Sequence, residues 1–210
     1  MTANNTNECS RCRTTPYRFK RVIALGEYEY DLRVFVLRMK IDRTGILAFS
    51  AARTLTQYRR SELENVCADY IVPVPMHRLR RADREVNSPD LLAEELGRQL
   101  KIPVAHHFVQ RIRPTDLQHT LSGRERRENV AGAFALSPRG LWGRFGFRRF
   151  PLSIADKNVL LIDDILTTGS TCNEVTKVLL SAGARSVTVA VLARAEGDYH
   201  QSGARSSESH

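Results

Sequence analysis

The chain has 210 residues and a formal net charge of +9, because 32 lysines and arginines outnumber 23 aspartates and glutamates. This length fits one domain with embellishments and a real core, and the N-terminus lacks the apolar segment of a signal peptide. No apolar run approaches membrane-spanning length, which excludes a transmembrane helix. The basic balance suits a polyanionic ligand such as pyrophosphate, a nucleotide or nucleic acid, although arginines spread over solvated helices give the same charge.

Residues 1–20 are predicted to form a flexible segment with one C-x-x-C pair, Cys9 and Cys12. This spacing is half of a zinc knuckle, and structural zinc needs four ligands. The remaining cysteines, Cys67 and Cys172, are isolated in predicted helices. We therefore expect no complete zinc site within one chain; a partial site at Cys9 and Cys12, a remnant pair, or a metal shared by two chains all fit. Four cysteines without a secretory signal also favour a reducing cytoplasm.

Residues 21–195 form the predicted domain, in which strands and helices alternate along the chain. The apolar patterns predict, in order, a strand over 21–29, helices over 32–39 and 47–66, a strand over 70–74, a helix capped by Ser88, strands over 104–112 and 159–162, a helix over 175–182 and a strand over 187–192. Such an order favours an α/β fold with a mostly parallel central sheet and flanking helices. Residues 196–210 have the composition of a disordered tail.

The strand over 70–74 ends in prolines and is followed at once by positive charge. Prolines break the strand ladder and stiffen the exit of the chain. The residues at this strand end are Pro75, Met76, His77, Arg78, Arg80 and Arg84. Guanidinium groups match phosphate oxygens bidentately, so this run favours a bound pyrophosphate; an ordinary basic loop is the alternative.

A polar pattern follows the strand over 104–112. Its members are Arg113, Thr115, Gln118, Arg126 and Asn129. Ser122 and Glu125 in the same stretch have the spacing of a capping box, so helix initiation explains part of the pattern.

The stretch over 137–157 is unassigned, because its glycines alternate with aromatic residues among arginines. Aromatic side chains interleaved with arginines suit single-stranded nucleic acid, through base stacking and backbone charge. A disordered or partner-covered insertion is the interpretation that we favour over nucleic-acid binding.

The most informative stretch runs from Val159 to Thr171. Four apolar residues without alternation indicate a buried parallel strand, and helical spacing resumes at Val175. The turn between them contains Asp163, Asp164, Thr167, Thr168, Gly169, Ser170 and Thr171. Backbone amides and a helix N-terminus at the carboxyl edge of a sheet favour a phosphate, and paired carboxylates accept hydrogen bonds from vicinal ribose hydroxyls. A plain βα turn with hydroxyl caps and solvated aspartates is the alternative.

These motifs together resemble the type I phosphoribosyltransferases, and specifically the ComF-like group among them. The resemblance spans roughly residues 28–194 and is most specific at Val72–Arg78, Arg113–Phe134 and Leu160–Thr171. It implies the type I phosphoribosyltransferase fold with a small hood, formed by the Arg113–Asn129 pattern, over the site. A lid that excludes water is reasonable for a substrate with an easily hydrolysed carbon.

The resemblance also implies roles for the residues. Asp163 and Asp164 would hold the ribose hydroxyls of phosphoribosyl pyrophosphate (PRPP), and Thr167 to Thr171 its 5′-phosphate. The basic run from Pro75 to Arg84 would hold the pyrophosphate, with Arg78 at the leaving group. Mg²⁺ would neutralise the pyrophosphate oxygens and bind ribose hydroxyls.

The implied activity is transfer of phosphoribosyl with release of pyrophosphate, in DNA uptake or nucleotide salvage. ComF-like sequences usually have R-G-F-N-Q where this chain has Arg84-Glu85-Val86-Asn87-Ser88. This departure keeps a second interpretation open, a nucleotide-sensing regulator without turnover. A third is a single-stranded-DNA-binding accessory of the competence machinery, beside a helicase. A homodimer is also left open, and no membrane partner is expected.

Overall fold

The computed structural model describes residues 17–76, 87–106, 108–113, 123–137, 142–145, 148–151 and 153–195. In these ranges the helices are α1 (Tyr30–Ile41), α2 (Ile46–Glu64), α3 (Ser88–Leu100), α4 (Gly123–Val130) and α5 (Ser170–Ser181). The strands are β1 (Val22–Glu27), β2 (Tyr70–Pro73), β3 (Val109–Arg111), β4 (Phe134–Leu136), β5 (Trp142–Phe145), β6 (Arg148–Pro151), β7 (Asn158–Leu166) and β8 (Ser186–Arg194). None of these helices is long and apolar enough to cross a bilayer.

Four of the strands form one central sheet in the order β1-β8-β7-β2, and every neighbouring pair is parallel. Leu161 in β7 pairs with Val72 on one side and with Val189 on the other. The mostly parallel sheet predicted from the sequence is therefore confirmed. Parallel strands are connected by crossover helices that cover both faces, which explains the unbroken apolar run of β7.

Successive residues of β7 serve opposite faces of the sheet. Val159 and Leu161 join a core cluster that includes α5 and the small β3–β4 sheet. Leu160 and Ile162 join a second cluster, whose other members come mainly from α1, α2 and α3. The helices flanking the sheet thus form two layers, and β7 is held from both sides at the point where it delivers the acidic pair.

The strand predicted over 104–112 is wrong in its extent. Val104 makes only an isolated bridge to Ile71, and the regular strand is β3, which pairs antiparallel with β4. The Ala105 amide donates to the Ile71 carbonyl and the Phe108 amide to the Ala105 carbonyl, so the chain turns away from the sheet edge after Ala105. Phe108 enters the core through this turn and is fully buried.

The serine cap predicted for the third helix is also wrong by one residue. Ser88 is the first helical residue of α3, and Asn87 is the N-cap with extended φ and ψ of −100° and 111°. The Asn87 carbonyl accepts hydrogen bonds from the Asp90 and Leu91 amides. Pro89 lies in the first turn, where a missing amide hydrogen is tolerated.

The stretch over 137–157 contains a two-stranded antiparallel hairpin. Strand β5 pairs with β6 in a register that sets Trp142 opposite Pro151. The sequence assigned no element here and favoured a disordered or partner-covered insertion.

Candidate functional site

The two acidic residues lie near the carboxyl end of β7, beside the turn that leads to α5. Asp163 pairs in register with Val191 of β8, and Gly169 forms the turn with a left-handed φ of 72° immediately before Ser170 opens α5. The structure thus brings Asp163, Asp164 and the Thr167–Thr171 turn together at one sheet edge, in the strand–turn–helix arrangement expected from the sequence.

Asp163 is a carboxyl group held in a desolvated position. Its Oδ1 accepts a hydrogen bond from the Asp164 amide at 2.9 Å, and its Oδ2 accepts one from the Cys172 thiol at 3.6 Å. Burial, and next to it the negative charge of Asp164, raises the pKa of Asp163 to about 7. The thiol has a raised pKa for the same reason, desolvation, so Cys172 is a neutral donor rather than a nucleophile.

Asp164 has a cationic partner from the other helical layer. The Lys40 ammonium of α1 lies 3.1 Å from Asp164 Oδ2, and the Ile165 amide donates to Asp164 Oδ1 at 2.7 Å. The sequence patterns predicted no role for Lys40. A single lysine on the flank of a helix does not predict an ion pair with a carboxylate that is distant in the sequence.

Substitution of Asp163 by asparagine is expected to stabilise the protein at alkaline pH. The pKa of about 7 lies above the ordinary 3.8, so the unfolded chain binds fewer protons between these values and Asp163 lowers stability as the pH rises through them. Asparagine keeps the acceptor for the Asp164 amide and removes the charge. We expect the free-energy gain of Asp163→Asn to be larger by about 1–3 kcal/mol at pH 8 than at pH 5 in urea unfolding.

Asp156→Asn provides the matched control for that measurement. Asp156 is exposed, and its hydrogen bonds from Arg185 lower its pKa, so its removal should not stabilise the chain at pH 8. Equal gains for Asp163→Asn at the two pH values would contradict the raised pKa.

The hydroxyls of the turn divide into two kinds. Thr168 and Ser170 are buried, and their side-chain oxygens lie 2.8 Å apart in a hydrogen bond. The Ser170 amide also contacts Thr168 Oγ1, at 3.4 Å. Thr167 and Thr171 are half-buried. Thr168 and Ser170 therefore fix the shape of the turn, while Thr167 and Thr171 are the more exposed threonines.

A segment before β1 packs against this turn. The Tyr17 hydroxyl donates to the Thr168 carbonyl at 2.8 Å, and the Arg18 amide donates to Asn173 Oδ1 at 2.7 Å. The Tyr17 ring stacks on Phe19 with centroids 4.8 Å apart. Sequence reasoning placed these residues in a flexible segment, although Tyr17 and Phe19 are the only aromatic residues among the first 20. This aromatic pair just before the first strand was the sequence feature that could have predicted that the segment packs against the domain.

Gly169→Ala is expected to destabilise the turn more than Gly132→Ala. Both glycines have left-handed φ, of 72° and 65°, so alanine costs about 1 kcal/mol of backbone strain at either position. A Cβ at Gly169 would also lie 2.9 Å from Tyr17 Cε1, whereas one at Gly132 meets nothing within 4 Å. We expect an extra loss of about 1–3 kcal/mol in urea unfolding for Gly169→Ala. In a chain that also carries Tyr17→Ala, this extra loss should disappear. If Gly169→Ala and Gly132→Ala cause equal losses while Tyr17 is intact, the contact with Tyr17 is disproved.

The predicted pyrophosphate residues lie largely outside the described ranges. His77, Arg78, Arg80 and Arg84 are among the undescribed residues, while Pro75 and Met76 follow β2 and are half-buried. The Val74 amide donates to the Ile162 carbonyl at 2.8 Å, which aligns the exit of β2 with the residue before Asp163. The end of β2 therefore lies beside the strand that carries the acidic pair.

Of the predicted hood residues, Arg113 and Asn129 are described with their side chains. The Arg113 guanidinium donates to the carbonyls of Asn129 and Ala131, at 3.0 and 2.8 Å. These bonds connect the end of β3 to the end of α4, so Arg113 stabilises the packing of these two elements. Arg126 lies within α4, and Thr115 and Gln118 fall outside the described ranges.

Of magnesium and zinc, the two metals predicted or weighed from the sequence, the oxygen atoms at the β7 edge suit magnesium. Mg²⁺ takes carboxylate and hydroxyl oxygens, which Asp163, Asp164 and the turn offer, while it keeps other positions for water or phosphate oxygens. Cys9 and Cys12 lie outside the described residues, among which no group of three or more His, Cys, Asp or Glu side chains could hold a metal ion. Cys67 is exposed and Cys172 is buried.

The amino-acid sequence matches the phosphoribosyl transferase domain over residues 91–207. It is 33% identical over 194 residues to Competence protein F of Haemophilus influenzae, covering 89% of this chain and 78% of that protein. This chain belongs to the ComF family of phosphoribosyltransferase-domain proteins.

Other ComF-family relatives have names that concern DNA use. DNA utilization protein YhgH of Escherichia coli K12 is 31% identical over 189 residues, covering 89% of this chain and 77% of that protein. A purine phosphoribosyltransferase structure from Pyrococcus horikoshii is 15% identical with a TM-score of 0.34, over 82% of this chain and 78% of that one. The ComF-family assignment therefore rests on the sequence relatives and on the domain match.

Proposed function

We propose that this ComF-family protein binds PRPP at the carboxyl end of β7 and transfers its phosphoribosyl group to an acceptor, with release of pyrophosphate. The observation that supports this most directly is the paired carboxylates, Asp163 and Asp164, near the end of the strand that leads through the left-handed Gly169 into α5. Acceptors for a diol and donors for a phosphate are then supplied by one strand–turn–helix segment, as a phosphorylated pentose requires.

Each part of the site has a role in this proposal. Asp163 and Asp164 accept hydrogen bonds from the ribose hydroxyls. The amides and hydroxyls from Thr167 to Thr171 hold the 5′-phosphate, helped by the partial positive charge of the α5 N-terminus. The basic residues after Met76, Arg78 foremost, neutralise the pyrophosphate. Magnesium, when bound with PRPP, adds positive charge at the pyrophosphate oxygens.

The chemistry is a displacement at the anomeric carbon. The bond from that carbon to the pyrophosphate oxygen breaks, its electron pair leaves with pyrophosphate, and the acceptor's lone pair forms the new bond. A proton on the acceptor is released to water or to a neighbouring base. The protein contributes orientation and electrostatic stabilisation of an oxocarbenium-like transition state, since no covalent nucleophile is needed.

The test combines two measurements on the same protein. Calorimetry with PRPP and Mg²⁺ measures binding, and a pyrophosphate-release assay with a panel of bases and amines measures transfer. Saturable binding with acceptor-dependent release supports the enzyme. The absence of PRPP binding at millimolar concentration overturns the proposal.

A nucleotide-sensing regulator is the second candidate, favoured by Glu85, which replaces the glycine of the R-G-F-N-Q pattern described above. A carboxylate beside the basic run opposes a bound pyrophosphate. Binding of PRPP without release under every acceptor would select this candidate. Glu85→Gly would then be expected to restore release if that carboxylate is the cause.

The cellular role that we propose is the use of DNA, because the curated relatives are named for competence and DNA utilization. Single-stranded DNA and a helicase are the partners proposed with it. The aromatic and basic composition of the β5–β6 hairpin is the sequence feature that supports DNA contact. Salt-dependent oligonucleotide binding with and without residues 138–156 tests it; unchanged affinity after the deletion removes the hairpin as the contact.

A further inference from the structure

Helix α1 carries a continuous apolar stripe on its outer face. Tyr30, Val34, Leu37 and Ile41 are 86%, 48%, 48% and 77% exposed. The spacing of three and four residues places Val34, Leu37 and Ile41 on one side of the helix, and Tyr30, with a left-handed φ of 42°, precedes Val34 by four residues at the helix start. Ile46, at the start of α2, is exposed as well. A stripe of this kind on a helix normally marks a contact with another surface.

The inner face of the same helix is already occupied. Val36 and Met39 are fully buried against the sheet, with Leu32 and Phe35 packed beside them. The helix is therefore apolar on two opposite faces, and core packing explains only one of them. Scattered surface apolar residues need no explanation, whereas four in register along every turn of one helix do.

The spacing of the stripe fits a second copy of this chain. The intervals four, three and four are the same when counted from either end. In an antiparallel pair of α1 helices related by a two-fold axis, Tyr30 therefore lies opposite the other copy's Ile41, and Val34 opposite its Leu37. A two-fold interface of this kind is self-complementary, which is the usual arrangement in homodimers.

The charges beside the stripe agree with that arrangement. Asp31 and Arg38 lie on the same flank, one near each end of α1. The two-fold axis brings Asp31 of one copy next to Arg38 of the other, twice. On the opposite flank Lys40 is already neutralised by Asp164, and Arg33 is exposed at the rim, where like charges interact weakly.

We infer that the Tyr30–Val34–Leu37–Ile41 stripe is a homodimer interface formed by antiparallel α1 helices. A helix of 12 residues is about 18 Å long, so the contact falls at the small end of specific interfaces, below about 1,200 Å². The dimer is accordingly weak, with a dissociation constant on the order of micromolar. It borders the candidate site, because Lys40 on the same helix contacts Asp164.

Sedimentation velocity of the 210-residue chain from 1 to 300 µM tests this interface. The wild type is expected to pass from monomer to dimer across this range. Val34→Glu or Leu37→Glu should weaken the association at least tenfold. Tyr58→Glu is the matched control, since Tyr58 is an exposed aromatic residue of α2 outside the stripe. Circular dichroism of each variant confirms that it is folded.

A charge exchange tests the antiparallel geometry separately. Asp31→Arg and Arg38→Asp each place like charges at both Asp31–Arg38 positions, so each variant alone should dimerise less than the wild type. An equimolar mixture of the two variants restores opposite charges at both positions and should recover the association.

Three results would overturn the interface. One is a wild-type chain that stays monomeric at 300 µM. If such a chain dimerises once residues 1–16 are deleted, the stripe is assigned to the chain's own N-terminal segment and the homodimer interface is overturned as well. The second is a dimer that survives Val34→Glu and Leu37→Glu unchanged. The third is a mixture of the two charge variants that associates no better than either alone.

Discussion

Replacement of Asp163 and Asp164 together by asparagine is expected to weaken PRPP binding by at least about 100-fold. Hydrogen bonds to charged groups contribute about 1.5–3 kcal/mol each, and at pH 8, above the pKa of about 7 of Asp163, two ribose hydroxyls would lose their ionised acceptors. Asparagine has nearly the same size, so the backbone bonds from the Asp164 and Ile165 amides keep their acceptors. Calorimetry with PRPP and Mg²⁺ measures the change.

The control for this double variant is Asp156→Asn, a carboxylate remote from the turn and paired with Arg185. Its PRPP affinity should equal that of the wild type. Undiminished affinity in the Asp163→Asn, Asp164→Asn protein would show that these carboxylates do not contact the ligand, and the proposed ribose site would be wrong.

Leu160→Ala is expected to cause a large loss of stability, because it removes a fully buried side chain of the central strand. Leu160 is fully buried between β7 and the layer of α1, α2 and α3. Removing a buried leucine beyond Cβ costs about 2–5 kcal/mol, a large share of the roughly 5–15 kcal/mol by which such domains are stable. Urea unfolding followed by circular dichroism measures the loss.

Ile112→Ala is the appropriate comparison, because Ile112 is an aliphatic residue that is mostly exposed. Its substitution should change the free energy of unfolding by no more than about 0.5 kcal/mol. A loss of less than 1 kcal/mol for Leu160→Ala would show that the layer over β7 is loosely packed.

The β7 strand and its turn could be predicted because the signal is local. Four consecutive apolar residues, two acids, hydroxyls and one glycine lie within a single stretch, and each has its own physical meaning. The chain order of elements similarly predicted the parallel sheet, since a helix between two strands makes the connection long enough for a crossover. These features need no knowledge of distant contacts.

The partners of the site could not be predicted from local pattern. Lys40 meets Asp164, and Tyr17 meets Thr168, only because α1 and the segment before β1 fold against the β7 edge. The stretch over 104–112 failed for a related reason. Its apolar residues suit one continuous strand, yet the hydrogen bonds of Ala105 turn the chain so that Phe108 fills the core.

The ion pair between Lys40 and Asp164 changes what a binding constant at this site measures. Asp164 already has a cation 3.1 Å away, so a diol or a hydrated magnesium ion that took the place of Lys40 would exchange one partner of Asp164 for another. The affinity is then the difference between two neutralised arrangements. Such an exchange would also remove an ion pair between helix α1 and strand β7, because Lys40 belongs to α1.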